Sequence, residues 1–229
     1  MTSTAILIPA RYESTRFSGK PLCDLAGYPM IRRVADAASK SGYPVYVLTD
    51  DTRVANCVSD TYPVIIDKST YTNGTERCSG AVNTTEELKT YEHIINVQGD
   101  MPDVSIEMIE ECISGLNNYQ VSTVYTTMPN EERLNPNSVK CILSRDRVLW
   151  MARGIVGYGA WHLGVYGYKA EILRRYNGLP TTEEEILESL EQLRWLKNDI
   201  NIGALPVRFE GVEINTVEDL HRWRENARS

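Results

Sequence analysis

Three cationic side chains, Arg11, Arg16 and Lys20, lie within ten residues directly after the first apolar run of the sequence. Guanidinium groups match pairs of phosphate oxygens and an ammonium group adds a point charge, so this spacing predicts a loop that holds a polyphosphate. Gly19 in the same segment allows a close approach of the backbone to a ligand. The segment matches neither a Walker A loop nor the GxGxxG pattern, and the alternative interpretation is a solvated loop with scattered charge.

A carboxylate ends a later apolar run, in the segment Asn96-Val97-Gln98-Gly99-Asp100. In open α/β sheets, ligands bind beyond the carboxyl ends of the strands. Asp100 is therefore placed to hold Mg²⁺, which prefers oxygen ligands and usually takes one or two carboxylates together with substrate phosphates. The alternative is that Asp100 forms a turn or caps a helix before Pro102.

A strand candidate over residues 161–168 alternates so strictly that His162, Gly164, Tyr166 and Tyr168 share one face. A face of histidine and tyrosine flanked by glycines is suited to line a sugar pocket. The alternative is a histidine that makes only a structural hydrogen bond.

Two further polar segments lie at or within predicted helices. The segment 73–77 joins a strand to a helix, and Thr75 is its predicted cap, with helix N-terminal amides that favour an electronegative ligand. A simple turn with a cap is the alternative. Further on, Glu188 and Gln192 lie one helical turn apart and Glu191 adjoins Gln192, a pattern that by itself predicts an exposed polar face.

The composition is that of an ordinary globular chain. Of 229 residues, 42% are hydrophobic and 24% are charged, which excludes a disordered protein. The net charge of −7 argues against a general nucleic-acid-binding protein, although a local basic cluster can still bind a polyanionic small substrate. No apolar run approaches the roughly 20 residues of a membrane-spanning helix, and the N-terminus lacks the pattern of a secretory signal, so no membrane insertion is expected. The five cysteines are odd in number and lack CxxC spacing, which predicts a reducing, cytoplasmic setting without a disulfide framework.

Short β-rich runs alternate with helical segments along the chain. The predicted strands are 5–9, 44–49, 64–67, 93–97, 121–127, 139–143, 148–151 and 162–168, and the predicted helices are 30–41, 51–59, 77–89, 183–197 and 217–226. This βαβ order predicts a single α/β domain over residues 1–229, with a mostly parallel sheet flanked by helices.

Taken together and in this order, these segments resemble the cytidylyltransferases that activate 3-deoxy-manno-octulosonate (Kdo), the CMP-Kdo synthetase family. The resemblance spans roughly residues 5 to 224, and its first and fourth motifs are specific in combination. The motifs are Ile8-Pro9-Ala10-Arg11-Tyr12-x-Ser14-Thr15-Arg16-x-x-Gly19-Lys20-Pro21-Leu22, Thr49-Asp50, Gly74-Thr75-Glu76-Arg77, Asn96-Val97-Gln98-Gly99-Asp100-x-Pro102, Asn135-Pro136-Asn137-x-Val139-Lys140, the segment 162–168, the segment 188–194 and Thr216-x-Glu218-Asp219-Leu220.

The resemblance implies a nucleotide-diphospho-sugar transferase fold with a smaller β-rich annex, roughly residues 129–168, that pairs two subunits, so a homodimer is expected. It also implies that the partners are CTP and a 2-keto acid sugar, Kdo, and that Mg²⁺ is the cofactor. The products are a CMP-sugar for lipopolysaccharide biosynthesis and pyrophosphate. The anomeric hydroxyl of the sugar attacks the α-phosphorus in line, so catalysis is mostly positioning and charge stabilisation.

By the same resemblance, the catalytic residues are Arg11, Arg16, Lys20 and Asp100, of which the three cations hold the triphosphate and the carboxylate ligates Mg²⁺. The nucleotide site also includes Gly74, Thr75 and Arg77. The implied sugar site consists of Gln98, Arg153, His162, Tyr166, Glu191 and Gln192, with Arg153 as the partner of the sugar carboxylate.

Three features depart from the family pattern. Asn215 stands where the family has an aspartate, the expected second metal ligand; its amide oxygen can still ligate, and Glu213, two residues back on the same face of a strand, is a candidate to compensate. Residues 153–162 form a shorter loop than is usual, and Met101 stands where an acidic residue is common. The short loop keeps open a cytidylyltransferase for another acidic sugar, such as a sialic acid or an amino-Kdo analogue, and Asn215 keeps open a weakened homologue that binds nucleotide without turnover. A third alternative, a glycosyltransferase that uses a finished nucleotide sugar, fits the α/β fold but explains the loop of Arg11, Arg16 and Lys20 less well.

Overall fold

One large sheet runs through the molecule. Within residues 2–13 and 17–227, which the computed structural model describes, nine strands form this sheet and two more form a small hairpin. The strands are β1 (Thr4–Pro9), β2 (Asp24–Leu25), β3 (Tyr28–Pro29), β4 (Val45–Thr49), β5 (Val64–Ile66), β6 (His93–Val97), β7 (Val121–Thr126), β8 (Lys140–Ser144), β9 (Arg147–Ala152), β10 (Ala160–Lys169) and β11 (Ile202–Pro206). Their order in the large sheet is β5-β4-β1-β6-β10-β7-β11-β9-β8, and β2 pairs with β3.

The sheet is mixed: two groups of parallel strands are joined by an antiparallel strand at the centre, and an antiparallel hairpin of β8 and β9 lies at one edge. The parallel groups are the part that the sequence predicts. β1 pairs in parallel with β4 and β6, β4 pairs with β5, and β7 pairs with β11. β10 runs antiparallel between β6 and β7 and so joins the two parallel groups. The alternation of its residues is preserved across a bulge between Leu163 and Tyr166, where the register with β7 shifts.

Helices cover both faces of the sheet. They are α1 (Met30–Ser39), α2 (Thr52–Asn56), α3 (Gly74–Thr84), α4 (Ile106–Gly115), α5 (Ala170–Leu173), α6 (Glu183–Glu188), α7 (Gln192–Lys197) and α8 (Val217–Asn226), with 3₁₀ turns at Lys20–Leu22, Glu87–Thr90, Asn130–Glu132 and Tyr176–Gly178. In β1, Ile6 and Ile8 belong to one buried cluster with α1, α2, α4 and α8, while Ala5 and Leu7 belong to another with α3, α5 and α7. A strand buried on both faces reads as a continuous apolar run, which is why β1 was predictable.

The prediction of a single helix over 183–197 is wrong. The helix breaks at Ser189, which takes a left-handed backbone conformation with φ 48° and ψ 48°. Thr182 caps α6, because its hydroxyl oxygen accepts a hydrogen bond from the Glu185 amide. The Glu185 carboxylate accepts hydrogen bonds from the Arg194 guanidinium. The ion pair between α6 and α7 holds the two short helices across the break.

The start of α3 differs from the prediction, and α4 and β11 are the longest of the strands and helices that the sequence did not predict. α3 begins at Gly74 rather than at residue 77, because the Asn73 side chain accepts a hydrogen bond from the Glu76 amide at 2.8 Å. Asn73 is therefore the cap, and the prediction that Thr75 caps the helix is wrong. α4 and β11 were not predicted, although Ser105 caps α4 by accepting from the Met108 amide.

The β-rich annex expected over 129–168 does not form a layer of its own. β8 and β9 form a hairpin at one edge of the large sheet, and β8 also pairs with the first residues of β10. β10, which falls inside the expected annex, is instead the central strand of the sheet. The hairpin is thus continuous with the strand that carries His162 and Tyr166.

The helices and the cysteines bear on the expected absence of membrane insertion and of a disulfide framework. No helix in residues 2–13 and 17–227 combines the length and the apolar character needed to cross a membrane. All five cysteines, Cys23, Cys57, Cys78, Cys112 and Cys141, are free thiols.

Candidate active site

A cleft of about 1100 Å³ opens at the carboxyl ends of β1 and β6. Pro9 and Ala10 come from the end of β1, and Gln98, Gly99 and Asp100 follow β6. A Cβ at position 99 would lie 3.0 Å from the Pro9 carbonyl oxygen, so glycine allows these two strand ends to pack closely. The cleft lies where ligands bind in open α/β sheets.

A charged pair lies in this cleft. The Lys20 ammonium group donates to Asp100 Oδ2 at 2.8 Å and to the Ile214 carbonyl at 3.1 Å. The Ile214 amide in turn donates to the Asp100 carbonyl at 3.0 Å. These three bonds fasten the segment before α8 to the end of β6 and to the loop after β1.

The loop between β1 and Lys20 carries the other two predicted cations. Arg11 is exposed and lines the cleft, whereas Arg16 lies outside the described residues. Gly19 has φ +68°, and its amide donates to the Tyr12 carbonyl at 3.1 Å, which closes the described ends of the loop on each other. The left-handed φ explains the glycine at this position.

A second carboxylate and an amide line the cleft with Asp100. Glu213 and Asn215 both line it, while Ile214 between them is fully buried. Residues 212–215 do not form a strand, so the predicted strand face is wrong, yet the two side chains are brought to one cavity as expected. Glu213 Oε1 accepts from the Gly164 amide at 2.9 Å. Burial, reinforced by the negative charge of Asp100, raises the pKa of Glu213 to about 8.

These oxygens form an incomplete cation site. In the described part of the chain, no group of three or more His, Cys, Asp or Glu side chains could hold a metal ion. Asp100, Glu213 and Asn215 offer two carboxylates and an amide, which are the hard oxygen donors that Mg²⁺ takes when ligand phosphates complete its shell. The donor set therefore fits a divalent ion that binds together with a polyphosphate.

The N-terminus of α3 borders the cleft through Gly74 and Arg77. The buried Arg77 guanidinium donates to Asp50 Oδ2 and to the Asp67 carbonyl, each at 3.0 Å. Asp50 also accepts from the Tyr12 amide at 3.3 Å. Arg77 thus ties the helix to the loop that carries Arg11, in addition to lining the cleft.

Thr75 does not reach the cleft, contrary to its expected place in the nucleotide site. It is fully buried, and its hydroxyl donates to Glu191 Oε1 at 2.8 Å while its amide donates to Glu191 Oε2 at 3.2 Å. The Tyr168 hydroxyl lies 3.0 Å from the same Thr75 oxygen. Burial raises the pKa of Glu191, and the Thr75 hydrogen bonds oppose that rise. Thr75 therefore positions Glu191.

The six residues expected to bind the sugar all line this cleft: Gln98, Arg153, His162, Tyr166, Glu191 and Gln192. The His162 and Tyr166 rings stack with centroids 5.2 Å apart, as the alternation of the strand predicted. Burial, together with the Arg153 cation, lowers the pKa of His162 to about 3, so the imidazole is neutral at physiological pH.

Two polar atoms in this wall lack partners among the described residues. They are Nε2 of His162 and Oε1 of Gln192, and both residues are almost completely buried. The exposed polar face predicted for Glu191 and Gln192 is wrong, because the break at Ser189 turns α7 inward. A buried polar atom without a partner costs about 1–3 kcal/mol, which a ligand hydroxyl in the cleft would recover.

Sequence reasoning missed the side chains that hold Arg153 at the cleft. Glu188 Oε2 accepts from the Arg153 and Gly154 amides at 2.6 and 3.1 Å, and the Glu188 carbonyl accepts from Arg153 Nε at 3.2 Å. The Arg153 guanidinium also donates to the Asn137 carbonyl. Buried Lys140 donates to the Asn135 carbonyl at 2.6 Å and to the Arg153 carbonyl at 3.4 Å. Lys140 belongs to the motif Asn135-Pro136-Asn137-x-Val139-Lys140, but its contact with the Arg153 backbone is visible only in the folded chain.

The mixed sheet covered by helices, with a cleft at its strand ends and a cation-bearing loop beside an acid, is an α/β fold suited to bind a polyphosphate ligand. Two solved structures at 14% identity share this fold, each with a TM-score of 0.68: a 4-diphosphocytidyl-2C-methyl-D-erythritol synthase from Anaerococcus prevotii and a glucose-1-phosphate thymidylyltransferase from Bacillus anthracis. The first match covers 100% of this chain and 99% of the other protein, and the second covers 99% of this chain and 96% of the other protein.

Closer relatives place the chain more narrowly. The family model described as cytidylyltransferase matches residues 5–202. The 3-deoxy-manno-octulosonate cytidylyltransferase of Parabacteroides distasonis is 35% identical over 94% of both chains, and the mitochondrial one of Arabidopsis thaliana is 32% identical over 94% of this chain and 80% of its own. A structure of CMP:2-keto-3-deoxy-manno-octonic acid synthetase complexed with CTP is 31% identical, has a TM-score of 0.88 and covers 99% of each chain. The chain belongs to the 3-deoxy-manno-octulosonate cytidylyltransferase family.

This result confirms the expected family, fold class and enzyme class. The chain is a cytidylyltransferase of the α/β type. Enzymes of this kind use a divalent metal ion, with which the oxygen donors Asp100, Glu213 and Asn215 are compatible.

Proposed function

We propose that this chain joins CTP and Kdo to form CMP-Kdo and pyrophosphate. The observation that carries this proposal is the composition of one cleft, with Arg11 and the Lys20–Asp100 pair in it together with the unpartnered polar atoms of His162 and Gln192. The first group suits a triphosphate and a metal ion, and the second suits sugar hydroxyls.

In the proposed reaction, the anomeric hydroxyl oxygen of Kdo attacks the α-phosphorus of CTP. The bond from that phosphorus to the bridging oxygen breaks, and pyrophosphate leaves while the hydroxyl proton passes to solvent. Arg11, Arg16 and Lys20 bind the triphosphate and stabilise the charge that develops on the leaving pyrophosphate. Gly74 and Arg77 lie by the nucleotide.

For the metal ion we propose Mg²⁺, held by Asp100 in the part of the cleft that Glu213 and Asn215 also line. When bound, Mg²⁺ neutralises phosphate charge and lowers the pKa of an oxygen that it coordinates. The remaining ligands are phosphate oxygens and water, as is usual for this ion.

The sugar wall is proposed to act through fixed hydrogen bonds. Arg153, held by Glu188, is the partner of the sugar carboxylate. Nε2 of neutral His162 donates to or accepts from a sugar hydroxyl group according to its tautomer, and the Gln192 side-chain carbonyl oxygen accepts from one. Glu191 is held in place by Thr75. Gln98 and Tyr166 complete the wall.

We also propose a cytoplasmic homodimer that serves lipopolysaccharide biosynthesis. Beside the β8–β9 hairpin, Leu134, Val156 and Tyr158 are 73%, 60% and 61% exposed, which is unusual for large apolar side chains and supports a contact between subunits. Sedimentation should give a dimer at micromolar concentration, and a monomer there would contradict this proposal.

The test of the reaction is pyrophosphate release with each of the four nucleoside triphosphates and a panel of Kdo, a sialic acid and an amino-Kdo analogue. The proposal is supported if pyrophosphate is released with the combination of CTP and Kdo and with no other combination. Release with another acidic sugar would change the assigned substrate, and CTP binding without release would identify a weakened homologue.

A matched pair of variants locates the sugar site. Arg153→Met should raise the KM for the sugar by roughly tenfold or more, through loss of a charge-assisted contact, and leave CTP binding unchanged. Arg147→Met, at an exposed position of β9, should change neither quantity.

A further inference from the structure

The Glu213 carboxylate has one structural bond and an open side. Its Oε1 accepts from the Gly164 amide at 2.9 Å, while Glu213 itself lines the cleft. Among residues 2–13 and 17–227, no other hydrogen-bond donor is in contact with this carboxylate. One of its oxygens is therefore available to a ligand.

The backbone around Glu213 is fixed to Asp100. The amide of Ile214 donates to the Asp100 carbonyl at 3.0 Å, and the Ile214 carbonyl accepts from Lys20 at 3.1 Å. Ile214 is buried and both of its neighbours line the cleft, so this backbone brings Glu213 and Asn215 to the same cavity as Asp100.

Two carboxylates and two cations lie at this place in the cleft. Lys20 offsets Asp100 at 2.8 Å, and Asn215 is neutral. Glu213 lies within electrostatic reach of the Asp100 carboxylate and of the Arg153 guanidinium, which line the same cleft. Asp100 and Glu213 thus bring two carboxyl groups to one place in the cleft, and such oxygen donors are the ones that Mg²⁺ takes together with phosphate oxygens.

We propose that Glu213 supplies the second anionic oxygen for the divalent ion, with Asp100 as the first, and that Asn215 adds little to the binding of the ion. This inference rests on the proposed function, because the ion is expected to arrive with CTP. Glu213 also holds Gly164 on β10, whose carbonyl accepts from the Gln98 amide at 3.0 Å, so the same side chain links the metal end of the cleft to the sugar wall.

The test uses Mn²⁺ as a paramagnetic probe and measures its affinity for the full-length protein saturated with CTP, without sugar, by water-proton relaxation. Glu213→Gln keeps an oxygen that accepts from Gly164 but removes the charge. It should weaken Mn²⁺ binding by about thirtyfold or more, the figure for removing a unit charge roughly 4 Å from a divalent cation in water-like surroundings. Asn215→Ala should weaken it by less than about threefold, on the same scale for a neutral ligand.

The double variant Glu213→Gln/Asn215→Asp returns a carboxylate to the site two residues away and should recover most of the lost affinity. Melting temperatures of all variants control for folding. If Glu213→Gln does not fold, Asn215→Ala still decides, because a tenfold loss there would show that Asn215 is the ligand.

The outcomes separate the two proposals. Wild-type protein that binds neither CTP nor Mn²⁺ with CTP would overturn both. Wild-type protein that binds both, with Glu213→Gln unchanged in Mn²⁺ affinity, would overturn the role of Glu213 and leave the proposed reaction standing.

Discussion

The protein should lose less stability at acidic pH when His162 is replaced by phenylalanine. The imidazole is 3% exposed, and burial, with a smaller contribution from the Arg153 cation, lowers its pKa to about 3. In the unfolded chain the same group titrates near its ordinary pKa of about 6.5. Below pH 6.5 the His162 imidazole takes up a proton in the unfolded chain but stays neutral in the folded protein until the pH approaches 3.

The magnitude follows from the difference between the two pKa values. Above pH 6.5 the imidazole is neutral in both states and contributes no pH dependence, and the free energy of unfolding falls as the pH drops from about 6.5 towards 3. At pH 4.5 the unfolded state has gained two pH units of protonation free energy, which amounts to about 2.7 kcal/mol. The ring is almost fully buried, so solvent screens this effect very little.

The assay is urea unfolding of the wild type and of His162→Phe at pH 7.5 and at pH 4.5. Phenylalanine retains a ring that can stack on Tyr166, whose centroid lies 5.2 Å away, but it cannot bind a proton. Between the two pH values the wild type should lose about 2–3 kcal/mol more than the variant. Tyr166→Phe is the matched control, since it alters the neighbouring ring and leaves the imidazole in place.

One result would refute this reasoning. If His162→Phe loses as much stability as the wild type between pH 7.5 and 4.5, to within about 0.5 kcal/mol, then the buried imidazole is not the group that resists protonation. An NMR titration in which the His162 ring signals move near pH 6.5 in the folded protein would lead to the same conclusion.

Three other substitutions test separate parts of the structure. Arg16→Ala should lower kcat/KM by the equivalent of about 2–4 kcal/mol with an unchanged melting temperature, and Arg16→Lys should also be poor because the planar fork is lost; unchanged turnover would remove Arg16 from the phosphate loop. Thr75→Val should cost about 1.5–3 kcal/mol in urea unfolding, because a buried carboxylate loses its 2.8 Å hydrogen bond, whereas Thr75→Ser should not. Arg194→Met removes the cation that lies 2.6 Å from Glu185 and 2.8 Å from Glu76, and it should destabilise the protein by about 3–5 kcal/mol in thermal unfolding. The control Lys197→Met, at an exposed ion pair, should cost at most about 1 kcal/mol. Equal effects of the two substitutions would contradict a buried ion pair at Arg194.

The parallel part of the fold was predictable because burial on both faces leaves a local record. β1 and β4 read as unbroken apolar runs, and the helices between them have apolar positions at helical spacing. α4 carries the same kind of record in Met108, Ile109 and Cys112 after the Ser105 cap, so its signal was present in the sequence. The central place of β10 was not predictable, because pairing between strands distant in sequence has no local signature.

The site divides in a similar way. Arg11, Lys20 and Asp100 could be found because the ends of predicted strands must meet at one edge of the sheet. Glu191 looked like part of an exposed face, since the left-handed turn at Ser189 that redirects it is rare for a non-glycine residue. Thr75 was recognised as part of a motif, but its burial under Glu191 depends on a contact 116 residues away along the chain.

The place of β10 has a consequence for the chain while it is being synthesised. β6 is paired with β1 early, but its other edge, with Ile94, Ile95 and Val97, waits for residues 160–169. At ordinary rates of translation that interval lasts roughly 4 to 14 s, during which a short apolar strand offers unsatisfied amides and carbonyls to any other nascent chain. Aggregation on the ribosome is therefore governed by the delay between β6 and β10, and a finished protein of unchanged stability could still be made in lower yield if that delay grew.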